Sequence, residues 1–423
     1  QEVEILTLED CLRIGIDNNL SLEGKRKEIQ KSKYGVSENR SKLLPQINAI
    51  AGYNNNFDPP VSVTDGSSYG VPYNITKTLQ HSANAGLEMQ MPLFNQTLYT
   101  SMSIAKVMEE ISRLSYGKAR EDVILQISKM YYLGQVTAEQ IMLIKANITR
   151  LEELRDITQA FFDNGMSMEV DLKRVNINLE NLKVQYDNAQ AMMKQQLNML
   201  KYIMDYPAEK EIALTPVNAD SITTVALTGL SENIYELQLS QSQVQLAERQ
   251  KKIITNGYIP SLSLTGSWRY AAYTDKGYHW FHSGPSNQWF RSYGVGLTLR
   301  IPIFDGLDKT YKIKKAMIDI ENKRLAWEDA RKNLQTQYLN AVNDLMNNQR
   351  NFKKQKDNYL LAEDVYAVTS DRYREGIASM TEVLQDEMQM SEAQNNYISA
   401  HYNYRVTNLM LLKLTGQIES LVK

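Results

Sequence analysis

Proline placement constrains this chain more than any other feature. The prolines stand at 45, 59, 60, 72, 92, 207, 216, 260, 285 and 302, leaving 93–206 and 303–423 without one. A proline inside a helix removes a hydrogen bond and clashes with the preceding turn. The two proline-free spans are therefore where very long helices can form. At 1.5 Å per residue a helix over 96–162 is on the order of 100 Å long, more than a globular core can cover. Such helices need coiled-coil-like partners. Leu334, Tyr338, Ala341, Leu345, Asn348, Phe352, Gln355, Tyr359, Ala362 and Tyr366 follow a 4-3-4-3 rhythm, the spacing of a helix seam. Asn and Gln dilute it, so the seam is narrow. An antiparallel coiled-coil spacer would show the same rhythm.

The chain repeats itself. YIPSLSLTGSWRY (258–270) echoes LLPQINAIAGYNN (43–55), and IPIFDG (301–306) echoes MPLFNQ (91–96). RYREGIASMTEV (372–383) echoes FFDNGMSMEVDL (161–172) without a gap. A period this long is not a solenoid repeat but a duplicated architecture. We expect a first repeat over 1–211, with a helix at 7–43, strands at 46–54 and 80–91 and a helical hairpin at 96–204. The second, 212–423, has a helix at 229–256, strands at 260–273 and 289–301 and a hairpin at 307–414. TLED at 7–10 offers a threonine cap with an acid three residues on. Gly165 and Gly376 fall between long helices, where a left-handed residue ends a helix tightly.

The strand segments alternate. In SYGVGLTLRI, Tyr293, Val295, Leu297, Leu299 and Ile301 share one side; Ser292, Gly294, Gly296, Thr298 and Arg300 share the other. About ten residues suffices to cross a bilayer as a tilted strand. Trp268, Trp280, Trp289 and Tyr293, with Tyr273, Tyr278, Phe281 and Phe290, gather at the distal ends of strands three and four. That is the pattern of an interfacial aromatic girdle; a soluble sheet with an aromatic core is the other reading. Four strands cannot close a barrel, and open edges are not tolerated in lipid. A membrane role therefore forces several copies to share one barrel, and three copies would supply twelve strands.

Other classes are disfavoured. Net charge is −2, so no nucleic-acid partner is expected. No apolar run is long enough for a transmembrane helix. QEVEIL has neither the basic nor the apolar region of a signal peptide. The lone Cys11 sits at an apolar helical position, where filling space is its expected role. The methionines are scattered at helical positions and suit packing. HWFH (279–282) is the nearest approach to a metal or catalytic motif and sits in a Trp-rich loop. No enzyme activity, cofactor or metal site is expected.

This plan resembles the TolC-like outer-membrane efflux proteins: the duplicated helix–strand–strand–helix unit, the turns MPLFN and IPIFDG, and the tips FFDNGMSMEVDL and RYREGIASMTEVL. The resemblance runs from TLEDCLRIGIDNNLSL to LLKLTG. It implies a mostly α fold with a membrane β-barrel portion (45–92 and 259–302), four strands per protomer. A homotrimer would form a twelve-stranded barrel and a long helical periplasmic tunnel. Segments 205–230 and 414–423 would belong to an equatorial belt. It implies a duct in the Gram-negative outer membrane, passively conducting small molecules for a tripartite efflux pump, with a periplasmic adaptor and an inner-membrane transporter as partners. Type I protein secretion is the alternative within that class; a soluble coiled-coil scaffold is the alternative outside it. The resemblance also implies a gate at the periplasmic entrance. Asp171 and Tyr373 match an aspartate–tyrosine pair of the lock, Glu382 the first acid of a D-x-x-D pattern. Gln385 replaces the second acid, with Asp386 following, and Ala378 stands where the family has an arginine. Asp171 and Glu382 are equally readable as acids favoured at helix N-termini. The exposed turns at Gly165, Met166, Gly376 and Ile377 would be the adaptor-docking tips.

Overall fold

The computed structural model describes residues 3–216, 229–275 and 288–422, the side chain of Tyr69 excepted. In chain order these form β1 (Glu4–Leu6), α1 (Leu8–Asn18), α2 (Leu20–Ser41), β2 (Gln46–Asn55), β3 (Val61–Asp65), β4 (Tyr73–Lys77), β5 (His81–Phe94), α3 (Gln96–Asp163), α4 (Glu169–Met204), β6 (Ile212–Leu214), α5 (Tyr235–Asn256), β7 (Ser261–Thr274), β8 (Trp289–Arg300), α6 (Asp308–Arg374) and α7 (Met380–Leu414). Among the described residues no helix is long and apolar enough to cross a membrane.

The helix expected over 7–43 is two helices. Thr7 caps α1, its hydroxyl accepting from Asp10 N at 3.1 Å while Asp10 accepts from Thr7 N at 3.2 Å. Asn19 then leaves the helical region (φ −55, ψ 119). Its side chain accepts from Leu22 N at 3.1 Å and donates to Ile203 O at 2.8 Å. An asparagine that can cap a new helix and bond a neighbouring one competes successfully with helix continuation.

Two compact units form, and each draws on both sequence halves. Unit one comprises Gln1–Ile29, Ile111–Gln241 and Arg324–Lys423. Unit two comprises Gln30–Glu110 and Ser242–Lys323.

In unit one the core gathers Leu12, Leu22, Ile124, Ile127, Leu200, Met204, Leu409 and Leu411, all essentially inaccessible. Cys11 is fully buried among them, and burial pushes its thiol up to about 12, which leaves it unreactive. The α6 seam is real: Leu334, Tyr338, Ala341, Leu345 and Tyr366 are buried. Asn348, at a seam position, donates to Thr407 at 2.8 Å. Parallel β1 and β6 are tied to α3 by Tyr131, whose hydroxyl donates to Leu6 O at 3.2 Å and sits 2.5 Å from Thr215 Oγ1. Residues 217–228 of the expected belt lie outside the described residues.

Glu121 on α3 is buried, and burial pushes its carboxyl up to about 7. The neighbouring Lys413 donates instead to Asp122 at 2.5 Å. The folded state thus holds a proton on Glu121 that the unfolded chain releases near the ordinary glutamate value. Stability from this group is greatest at low pH and falls as pH rises from about 4.5 through about 7, since the native state then binds more protons than the unfolded one. Glu121→Gln is expected to raise the thermal midpoint over wild type at pH 8 and to change it little at pH 5. An equal shift at both values would show that this proton is not linked to folding.

Unit two is built on an antiparallel sheet of order β2–β5–β7–β8. The hairpin β3–β4 forms a separate two-stranded sheet. Among the described residues there are eight strands, so four short ones escape the sequence reading. The two proline turns also differ. β5 runs through Pro92 with its register shifting between Pro92 and Phe94, whereas β8 stops at Arg300. A proline can remain in a strand only where it disturbs no ladder bond, as at a bulge. What the turns share is the cap at the fifth letter. Asn95 accepts from Thr97 N at 3.0 Å to start α3, and Asp305 accepts from Lys309 N at 3.3 Å to start α6.

Candidate membrane sheet and helical tips

Register makes the two faces of the unit-two sheet explicit. Across all four strands one row reads Ile47, Met89, Gly266, Val295, and the next Ala49, Leu87, Trp268, Tyr293. The opposite face reads Gln46, Gln90, Thr265, Gly296, then Asn48, Glu88, Ser267, Gly294. One face is apolar over a bilayer-length span; the other is small and polar. Glu88 and Arg269 form an ion pair on the polar face. A depression of about 510 Å³ opens there, with Glu88, Arg269, Gly294 and Gly296 among its lining residues. Arg300 pairs with Ser261 and falls on the polar side by alternation.

Trp268, Trp289 and Tyr293 all lie on the apolar face, Trp289 at the start of β8 and the Trp268–Tyr293 pair further along the ladder. Tyr270 meets Trp268 edge-on at 5.6 Å, and the Arg291 guanidinium lies 6.0 Å above the Tyr293 ring. Amphipathic rings with a cation that can reach water suit a bilayer interface. Tyr53 joins them: its hydroxyl is 2.8 Å from His81 Nδ1 and the two rings stack. The sequence reading did not include it. Trp280, Tyr278, Phe281 and the HWFH motif lie outside the described residues.

The helical tips of unit one share one geometry. Gly165 and Gly376 have φ of 74° and 76°. Gly165 N bonds Phe162 O at 2.9 Å and Met166 N bonds Phe161 O at 2.8 Å. Gly376 N bonds Tyr373 O at 2.9 Å and Ile377 N bonds Arg372 O at 2.8 Å. These paired bonds close α3 and α6 in the same way. Both turns present exposed apolar side chains, Met166, Met168 and Ile377.

The gate residues are arranged differently from the expectation. Tyr373 is buried, its ring 5.7 Å from Phe161, and its hydroxyl donates to Thr158 Oγ1 at 3.3 Å. It does not reach Asp171. Thr158 lies on the helix that Tyr373 packs against, so the hydroxyl is satisfied within the core before any carboxylate is needed. Asp171 pairs instead with Arg174 at 3.4 Å. Arg174 also donates to Thr381 Oγ1 at 3.2 Å, linking the starts of α4 and α7. Glu382 belongs to a capping box: it accepts from Ser379 N at 3.1 Å while Ser379 Oγ accepts from Glu382 N at 3.3 Å. Gln385 is exposed and Asp386 half-buried on the first turns of α7. Sequence reasoning missed Arg174, although its position three residues after Asp171 on a helix was a legible pairing signal. Nothing local marked Thr158.

Strands of bilayer length with one apolar face, in one chain with two long helical hairpins closed by equivalent turns, define a class: outer-membrane channels of mixed strand and long-helix build. The model of the outer membrane efflux protein family matches residues 14–204 and 230–417, one stretch in each half. The chain belongs to the outer membrane efflux protein family. It is similar to outer membrane protein TolC of Vibrio cholerae, 21% identical over 396 residues, covering 90% of this chain and 84% of the relative. Its fold is similar to the Campylobacter jejuni CmeC outer membrane channel (TM-score 0.78, 17% identity, 97% and 85% of the two chains). The open state of the Neisseria gonorrhoeae MtrE outer membrane channel is also similar (TM-score 0.76, 18% identity, 97% and 88%). The chain is an efflux channel of the Gram-negative outer membrane.

Proposed function

We propose that three copies of this chain form a passive exit duct of a tripartite efflux pump, gated at the periplasmic end. The observation that carries this is the sheet: one apolar face, one small polar face, and two open edges at β2 and β8. In lipid such edges must pair with other copies, and three copies supply a twelve-stranded barrel. The apolar face then meets lipid, Trp268, Trp289 and Tyr293 mark its interface, and the glycine-rich face keeps the lumen wide and wet. The two halves act as structural repeats, each contributing a strand pair and a helical hairpin. The paired hairpins of three copies would line a periplasmic tunnel.

The tips at Gly165, Met166, Gly376 and Ile377 are the proposed docking points for an adaptor, through which an inner-membrane transporter delivers small molecules. Asp386 and Glu382, repeated three times around an axis, would give the entrance a cation-favouring ring. Gln385 lowers its charge. The lock is proposed to run from Asp171 through Arg174 to Thr381, so that an arginine on α4 does the work for which position 378 offers only alanine.

A mass measurement of the detergent-solubilised protein is expected to give three times the chain mass, and a planar bilayer is expected to show discrete channels. A monomer without conductance would overturn the reading. Arg174→Ala tests the lock. An exposed ion pair contributes about 0.5–1 kcal/mol, or about two- to fivefold in an opening equilibrium. Three copies acting together give about 10- to 100-fold, read as increased open probability. Unchanged gating would remove Arg174 from the lock.

A further inference from the structure

A groove of about 830 Å³ runs between α4 and α7 in unit one. Its size is that of a small-molecule pocket. Its walls combine apolar side chains, Ile177, Leu182, Leu384 and Met388, with amides such as Asn181 and Gln389. Glu387 lines it, and this glutamate is only 4% exposed. Its Oε1 is buried and has no hydrogen-bond partner.

A buried carboxylate without a partner is costly, and native chains rarely keep one without a use. The arginines of the surrounding helices do not serve it. Arg150 holds Glu363 at 2.5 Å and Asn147 at 3.1 Å. Arg174 holds Asp171 and Thr381. Arg374 holds Asp371 at 3.1 Å and Glu153 at 3.6 Å. Burial alone pushes the Glu387 carboxyl above its ordinary range, with no positive group opposing the shift. Burial favours the protonated acid here, and a cation entering the groove would favour the carboxylate in its place.

We propose that the α4–α7 groove is a binding site for an apolar organic monocation, with Glu387 as its counter-ion. A metal ion is a poor fit: among the described residues no three His, Cys, Asp or Glu side chains gather to hold one. Two carboxylates, Glu387 and Glu392, line the groove among apolar walls and amides, and the lining arginine, Arg174, is held by Asp171; such a site suits an ammonium, phosphonium or guanidinium carried on a hydrophobic body. Ile177 and Met388, both well exposed, flank the opening as the apolar contact. The groove lies within one chain, and Arg174, Thr381 and Gln385 of the proposed gate are among its lining residues. If site and duct both hold, a duct otherwise indifferent to its cargo would retain cationic amphiphiles in its wall.

The test uses the full chain in detergent, with tetraphenylphosphonium as the cation and tetraphenylborate as an anion of similar shape. Wild type is expected to bind the cation saturably by equilibrium dialysis, corrected for empty micelles, and not to bind the anion. Glu387→Gln is expected to lose at least tenfold in affinity, whereas Asp187→Asn, at an exposed α4 carboxylate outside the groove, keeps it. Ile177→Trp, which fills the groove and leaves the carboxylate in place, is expected to lose binding too, so a poorly folding Gln variant does not rescue the idea. No saturable cation binding by wild type, or equal binding by Glu387→Gln, overturns the proposal. Mass and conductance measured on the same samples report on the duct separately.

Discussion

Leu297→Arg is expected to abolish stable membrane assembly. Leu297 is 66% exposed on β8, paired with Leu264, midway along the apolar face between Tyr293 and Ile301. In the proposed barrel that point lies near the bilayer centre. Arginine there costs about 2–4 kcal/mol per copy, so three symmetry-related copies cost about 6–12 kcal/mol. That is comparable to the whole stability of an ordinary domain. The oligomer band on unheated gels should vanish and the protein should leave the outer-membrane fraction. Thr298→Arg, one residue on and facing the polar side, should assemble normally with altered conductance. If Leu297→Arg inserts like wild type, that face does not meet lipid.

Glu139→Gln is expected to destabilise unit one by about 3 kcal/mol, the lower end of the cost of breaking a buried pair. Glu139 on α3 accepts from Tyr397 at 3.0 Å and lies 3.3 Å from His401 Nδ1. His401 is completely buried, and Arg405 Nε donates to its other ring nitrogen at 2.9 Å. Arginine only donates, so this contact makes Nε2 the acceptor and puts the imidazole proton on Nδ1, facing Glu139. The Arg405 guanidinium lies 4.9 Å from the centre of the Tyr132 ring and is itself pulled below its ordinary range by burial. Removing the carboxylate takes away a negative charge that favours this buried cation. The thermal midpoint should fall by several degrees. The double variant with Arg405→Met should recover part of the loss, because the cation that the carboxylate favoured goes as well. Additive losses would show the residues to be energetically independent.

Much of this was legible because it depended on local chemistry. Proline spacing marked where α3, α4, α6 and α7 could run. Alternation placed Val295 and Leu297 opposite Gly294 and Gly296, and the register agrees strand by strand. The repeated glycines marked turns that require a positive φ. The β3–β4 hairpin could have been found: VSVTD and YNITK alternate on either side of a glycine-rich turn. Asn19 could also have been suspected, since asparagine competes for backbone bonds. What escaped depended on contacts distant in sequence. Tyr373 chooses Thr158 over Asp171 because of how α3 and α6 pack. Glu387 reads as one more polar residue on a long helix until three neighbouring arginines prove to be committed elsewhere.

The two tips are alike where a helix ends and unlike where the next begins. α7 starts on the capping box of Ser379 and Glu382, whereas α4 starts at Met168 with no side-chain cap. An uncapped first turn leaves amides to water and frays more readily. The duplicated chain therefore carries one stiff and one compliant fingertip. Around a threefold axis these would alternate, so an apparently sixfold rim would be mechanically threefold, yielding first at the α3–α4 hairpins.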